Sequence, residues 1–161
     1  MVQSRRVGDD EAIAPKCRKA APRSGDEPLK KSAGTILIVD DEPHIAAVVA
    51  LKLEDAGYRT RVCSDGREAL RLAQSELFDA VVSDLNMPKF GGADLCRALA
   101  ASTATAGLPV LLVTGLAHAP SELSWAHPNV RGVIAKPFSP REMLVRLEAM
   151  LAEVRRVAAA A

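Results

Sequence analysis

Apolar residues fall in two rhythms along this chain. Five short runs, at 35–39, 59–63, 79–84, 109–114 and 131–135, are rich in β-branched and apolar residues and are bounded by Gly, Pro, Asp or Ser. The continuous apolar runs among them, at 35–39 and 109–114 above all, predict strands buried on both faces, as in a parallel sheet; 59–63 and 131–135 predict short strands. Between and after them, apolar positions recur every three or four residues, the period of an amphipathic helix. Pro43 opens the first such stretch, which carries Ile45, Val48, Val49, Leu53 and Ala56 and stops at Gly57. The second starts at Ser64-Asp65-Gly66 and runs to about Ser75, with Ala69, Leu70 and Ala73 on one face. The third covers 93–101. The last is capped by Ser139, has Pro140 in its first turn, and carries Met143, Leu144, Leu147, Met150, Leu151 and Val154 as its stripe. Between Pro120 and Pro128 the pattern predicts only a short, poorly formed helix.

Strands alternating with helices imply right-handed βαβ crossovers and a doubly wound α/β fold, its parallel sheet covered on both faces. In such sheets chemistry gathers at the carboxyl ends of the strands. The loops that follow the first, third, fourth and fifth strands emerge at that edge and carry Asp40 and Asp41, Asp84, Thr114 and Lys136. Three carboxylates in one pocket repel one another and invite a divalent cation; an all-oxygen donor set suits Mg²⁺. The Asp84 carboxylate can act as a nucleophile that forms an aspartyl-phosphate. Lys136 and the metal would neutralise phosphoryl oxygens, and the Thr114 hydroxyl can donate to one of them. Each residue also has a plain use: Asp40 or Asp41 as a cap of the first helix, Thr114 as a strand residue, Lys136 as a solvated charge. Their shared edge, in this order, argues for a site.

The motifs Ile36-Leu37-Ile38-Val39-Asp40-Asp41-Glu42-Pro43, Val81-Val82-Ser83-Asp84-Leu85-Asn86-Met87-Pro88, Leu112-Val113-Thr114-Gly115 and Ala135-Lys136-Pro137-Phe138 resemble the receiver domain of two-component response regulators. The resemblance covers about residues 34–155. It implies a flavodoxin-like, CheY-like five-stranded sheet in the order 2-1-3-4-5. It implies that Asp84 takes a phosphoryl group from a phosphohistidine on a sensor histidine kinase or histidine phosphotransfer protein. Asp41, Asp84 and the backbone carbonyl of Asn86 would bind Mg²⁺, with Asp40 acting through a metal-bound water; Thr114 and Lys136 would hold the phosphoryl oxygens. Asn86 and Leu116 would lie near the path of attacking water and so set the lifetime of the acyl phosphate. The sequence departs from the family in three places. Val133 stands where an aromatic switch residue is usual. Gly115 follows the threonine, where Ala is common. The segment from Leu116 to Val130 replaces the usual charged helix with His118, Pro120, Trp125, His127 and Pro128.

Charge divides the chain. Residues 1–33 hold eight Lys/Arg against five Asp/Glu, a net +3, with Pro15, Pro22 and Pro28 and no apolar period. They are expected to form a disordered tail. Residues 34–161 hold 13 bases and 15 acids, a net −2. The overall charge of +1 gives no case for nucleic-acid or membrane binding. No apolar run approaches the ~20 residues of a membrane helix, and Arg5 and Arg6 are not followed by a signal-peptide core. Cys17, Cys63 and Cys96 lack metal or CxxC spacing and are expected as thiols in a reducing bacterial cytoplasm. With a receiver domain over 34–157 and a short tail at 158–161, the expectation is a stand-alone phosphoacceptor, a signalling protein rather than an enzyme. It would act by binding a downstream protein or by passing the phosphoryl group on, as a monomer or weak dimer. The alternative is a receiver-like interaction module that is never phosphorylated.

Overall fold

In the computed structural model the described residues are 17–19, 32–115 and 127–161. The predicted helix over 119–126 lies outside them, as do Leu116, His118, Trp125 and most of the tail. Among the described residues ten elements follow one another: β1 (Cys17–Lys19), β2 (Thr35–Val39), α1 (Pro43–Asp55), β3 (Arg59–Cys63), α2 (Gly66–Ser75), β4 (Ala80–Asp84), α3 (Gly92–Ala101), β5 (Val110–Thr114), β6 (Val130–Ala135) and α4 (Pro140–Ala159).

The sheet order is β1-β3-β2-β4-β5-β6. All neighbours from β3 to β6 pair in parallel. Counted from Thr35, these five strands have the order 2-1-3-4-5 expected of the fold. The addition is β1, which pairs antiparallel with β3, setting Cys17 opposite Cys63 and Lys19 opposite Arg61. The disordered tail expected over 1–33 therefore includes a short ordered strand, which covers the β3 edge. An unpaired edge leaves backbone N–H and C=O groups without ladder partners, and β1 supplies partners along β3.

Side chains alternate across the strands, and the two faces build separate cores. Ile36 and Ile38 pack with Ala46, Val49, Ala50 and Leu53 of α1 and Met143, Leu147, Met150 and Leu151 of α4. Leu37 and Val39 pack with Ala69 and Ala73 of α2 and Leu95, Cys96 and Leu99 of α3. Each fully buried Leu or Ile contributes about 1.5–3 kcal/mol relative to exposure. The stripe predicted for α1 is corrected in part: Ala46 and Ala50 are inside, whereas Val48 and Ala56 are exposed. Small alanines let the helix approach the sheet closely, and the buried face turns toward them.

The local signals work as their chemistry dictates. Asp65 caps α2 by accepting from Arg67 N at 2.8 Å, and Ser139 caps α4 by accepting from Glu142 N at 3.1 Å. Gly57 ends α1 at φ 96°, a left-handed conformation that favours glycine. One cysteine meets the expectation of a thiol and one departs from it. Cys96 is a buried thiol, and burial pushes it up to about 12. Cys63 instead lies in a disulfide, so cysteine usage gives no support for a reducing compartment.

Candidate functional site

The site starts where β2 ends. Asp40 N donates to Cys63 O at 3.0 Å, so the neighbouring strand holds the residue in place one step beyond the sheet. The Asp40 Oδ1 accepts from Glu42 N at 2.9 Å, which turns the chain into α1. Neither Asp40 nor Asp41 is the cap of that helix. The N-cap position belongs to Glu42, whose side chain makes no capping bond, and Pro43 follows at the first helical position. Asp40 is buried and Asp41 exposed.

Asp84 ends the central strand β4 and is only 4% exposed. Leu85 N donates to Val113 O at 2.7 Å, carrying the pairing with β5 one residue past the strand. Asn86 N then points back at Asp84 Oδ1, at 3.4 Å. The loop closes tightly: Gly92 N donates to Leu85 O at 3.0 Å. A Cβ on Gly92 would stand 2.5 Å from the Asp84 carbonyl oxygen, so only glycine fits the start of α3. Met87 is buried under the loop as its apolar anchor, while Asn86 stays exposed.

The other side of the site comes from β5 and β6. Thr114 ends β5, buried at 6% exposure, and its carbonyl accepts from Lys136 N at 2.7 Å. That bond extends the β5–β6 ladder and delivers the lysine to the same edge. The Lys136–Pro137 peptide is cis. Lys136 Nζ stands 3.4 Å from Asp84 Oδ2, 3.5 Å from Glu42 Oε1 and 3.8 Å from Asp40 Oδ2.

Asp40, Asp41 and Asp84 each present a carboxylate oxygen, and these lie within 4.8 Å of one another. Among the described residues this is the one such group of His, Cys, Asp or Glu side chains. His127 is half-buried and takes no part in it. Burial raises the Asp40 pKa above its ordinary value, and the Glu42 amide and Lys136 only partly offset that; Asp84 and Asp41 add repulsion. For Lys136, burial pulls the pKa down, but Asp40, Asp84 and Glu42 together outweigh it and the net shift is upward. The two shifts have different causes: burial dominates at Asp40, whereas the surrounding carboxylates hold Lys136 as a cation.

All the residues that the sequence placed at one edge are thus brought to it. Glu42 was missed as a site residue. From sequence it stood merely as an acid near a helix start; its contact with Lys136 joins the two ends of the domain, and no local pattern reports that. Val133 sits half-buried in β6 opposite Leu112 and packs on the α2/α3 side of the sheet.

A parallel 2-1-3-4-5 core with a carboxylate on the central strand, two acids beside it and a lysine opposite defines a class of phosphoacceptor signalling modules. Residues 36–148 match the response regulator receiver domain, and the chain belongs to that family. It is 35% identical over 126 residues to the DNA-binding dual master transcriptional regulator RpaA of Synechocystis, covering 78% of this chain and 52% of RpaA. The chain spans about half the length of the curated relatives it matches. Among solved structures it resembles the chemotaxis response regulator CheY4 of Vibrio cholerae, at 33% identity and a TM-score of 0.67, covering 72% of this chain and 97% of CheY4. It also resembles the receiver domain of the sensor histidine kinase PA1611 of Pseudomonas aeruginosa, at 26% identity and a TM-score of 0.67 over 75% of this chain and 99% of that one. That receiver carries a magnesium ion in its active-site cleft. Among the described residues no helix is long and apolar enough to cross a membrane.

Proposed function

We propose that residues 34–157 form a receiver unit in which Asp84 accepts a phosphoryl group from a phosphohistidine on a sensor histidine kinase or histidine phosphotransfer protein. The observation that carries this reading is Lys136 Nζ at 3.4 Å from Asp84 Oδ2 and 3.8 Å from Asp40 Oδ2, two members of a three-carboxylate cluster. A lone aspartate at a strand end needs neither a lysine nor two further acids; a phosphorylated one needs both.

In the proposed transfer an Asp84 carboxylate oxygen attacks phosphorus. The new O–P bond forms as the P–N bond breaks, and the imidazole nitrogen keeps the electron pair. A proton on its second ring nitrogen lets the donor leave as neutral histidine. Lys136 and the Thr114 hydroxyl would hold the phosphoryl oxygens, and phosphoryl transfer depends mostly on such positioning and charge. The donor set is all oxygen, which fits Mg²⁺. Asp41, Asp84 and the Asn86 carbonyl would hold the ion, and Asp40 would reach it through water. When bound, the metal supplies positive charge for the phosphoryl oxygens. Water attack on phosphorus would later return the Asp84 carboxylate and inorganic phosphate. Exposed Asn86, beside the site, is proposed to tune that rate, with Leu116.

The output is proposed to be contact with a downstream protein or onward transfer of the phosphoryl group, in the cytoplasm, by a monomer or weak dimer without direct nucleic-acid or membrane binding. Since Val133 occupies the usual aromatic position, the proposed signal does not travel by rotation of an aromatic ring.

The test is transfer from a labelled phosphohistidine protein. Label is expected to move to the chain; separately, tritiated borohydride is expected to reduce the acyl phosphate, releasing phosphate and leaving a tritium-marked homoserine side chain at position 84. Label retained on the donor under a panel of histidine kinases and phosphotransfer proteins would count against the assignment.

A further inference from the structure

Glu42 lies 3.5 Å from Lys136 Nζ, as near as Asp84 at 3.4 Å and nearer than Asp40 at 3.8 Å, yet the transfer just described gives it no task. We propose that Glu42 is a positioning residue that competes with the incoming phosphoryl group for Lys136, restraining the ammonium in the unphosphorylated protein and slowing phosphoryl uptake. The inference rests on the assignment of Asp84 as phosphoacceptor.

Three observations carry it. First, the Glu42 side chain is not spent on the helix. Glu42 is the N-cap of α1 by position, but its side chain makes no capping bond, and its contribution to the turn is its backbone N–H to Asp40 Oδ1. A role for the carboxylate has to be found elsewhere, and the hydrogen-bonded contact is Lys136. Second, an ammonium has three donors, and here three carboxylates surround it. A phosphoryl group on Asp84 brings further acceptor oxygens, so at least one present partner has to be given up. Third, exposure decides which one. The Asp40 and Asp84 side chains are 7% and 4% exposed, whereas that of Glu42 is 48% exposed. Releasing a carboxylate that already faces water costs little desolvation, and releasing a buried one strands a charge. On its outer side Glu42 Oε2 also has the exposed His44 imidazole at 3.7 Å.

Charge adds to the competition. An anionic donor has to approach through the exposed side of the cluster, where Asp41 and Glu42 stand. Replacing Glu42 by glutamine removes one negative charge from that path and keeps the side chain's length and the backbone turn.

The test compares wild type with Glu42→Gln, using acetyl phosphate and Mg²⁺ at low ionic strength and following uptake by intact mass. E42Q is expected to take up the phosphoryl group about threefold faster at subsaturating donor, the effect of one unit charge a few ångströms away across partly solvated space. The gain is expected to lie in the half-saturating donor concentration rather than in the ceiling rate, and to vanish near ~1 M salt, where the screening length falls to about 3 Å. A metal-free readout accompanies it: the Lys136 side-chain methylene signal in NMR is expected to shift and sharpen in E42Q as the ammonium loses a restraint. Uptake by E42Q at or below the wild-type rate overturns the competition, as does a gain that survives in high salt or an unmoved Lys136 signal. Uptake by neither protein removes the Asp84 assignment itself, and the competition with it, so the two failures are told apart by the behaviour of wild type.

Discussion

Lys136 Nζ stands 3.4 Å from Asp84 Oδ2 although β5 lies between the strands that carry the two residues. Two backbone bonds bring this about: Leu85 N to Val113 O and Lys136 N to Thr114 O, each 2.7 Å. Both extend parallel ladders beyond the strand ends. The sheet thus holds a cation against a buried carboxylate with backbone geometry, and long side chains need only finish the approach.

Removing that cation exposes the cost it offsets. Lys136→Met is expected to lower stability by about 1–3 kcal/mol at neutral pH without metal, because Asp40 and Asp84 are left buried without a counter-charge. The residual 21% exposure of the lysine side chain keeps the figure below that of a fully buried pair. Its folded pKa is raised above the ordinary 10.5. The ion-pair contribution is therefore fully present below the ordinary value and fades as pH rises through the raised one. Urea melts should show a lower midpoint at an unchanged slope, and a difference from wild type that shrinks at high pH.

Asp40 has the opposite sign. Its pKa is raised above the ordinary 3.8, chiefly by burial, so the folded state holds its proton more tightly than the unfolded chain does. Stability then increases as pH falls through the raised value toward 3.8, and the charged form is a net cost at neutral pH. Asp40→Asn is expected to raise the urea midpoint of the metal-free protein at pH 7 by the equivalent of about 0.5–1.5 kcal/mol, since the amide oxygen can still accept from Glu42 N. It should also flatten the pH dependence in the acid range. A destabilised D40N at neutral pH would show that attraction to Lys136 outweighs burial.

Much of this could be read from residues before any coordinates. The strands show themselves because 36–39, 80–82 and 110–113 are apolar on both faces, as a sheet covered on both sides demands. Asp40, Asp84, Thr114 and Lys136 were legible because each ends or follows such a run. What was not legible has a common cause in tertiary context. The short strand β1 lies in a charged, proline-rich segment, and it exists by pairing with an edge that the tail's own composition does not reveal. Exposure of Val48 and burial of Ala46 depend on how closely α1 approaches the sheet. The Glu42–Lys136 contact links distant residues, so its sequence signal is only that of an acid before a proline.

The tightest steric constraint beside Asp84 is at Gly92. A methyl group there would meet the Asp84 carbonyl oxygen at 2.5 Å and Leu85 Cα at 2.9 Å, both backbone atoms that cannot swing aside. Gly92→Ala is expected to cost about 2–3 kcal/mol, in the range of overpacking a dense core. It should also slow phosphoryl uptake, because the β4–α3 loop has to move. Equal stability in G92A and wild type would mean that the loop relaxes freely.

Metal binding to the acid cluster should register as stability. Any ion bound by the folded state alone adds about 1.4 kcal/mol when its concentration is tenfold above Kd. For a domain of this size that is a rise in Tm of roughly 3–6 °C. Mg²⁺ is expected to raise the wild-type Tm, and Asp41→Asn to remove most of the rise while leaving the metal-free Tm nearly unchanged, since Asp41 is exposed and unburied by folding. An equal rise in both proteins would place the ion elsewhere.

The central claim is that Asp84 accepts phosphate, and the most direct measurement is the intact mass of wild type and Asp84→Ala after incubation with acetyl phosphate and Mg²⁺. One added phosphoryl group in wild type, absent from D84A and lost when Mg²⁺ is chelated, is the predicted result. A mass gain shared by D84A, or no gain in wild type with either acetyl phosphate or phosphohistidine donors, would contradict it.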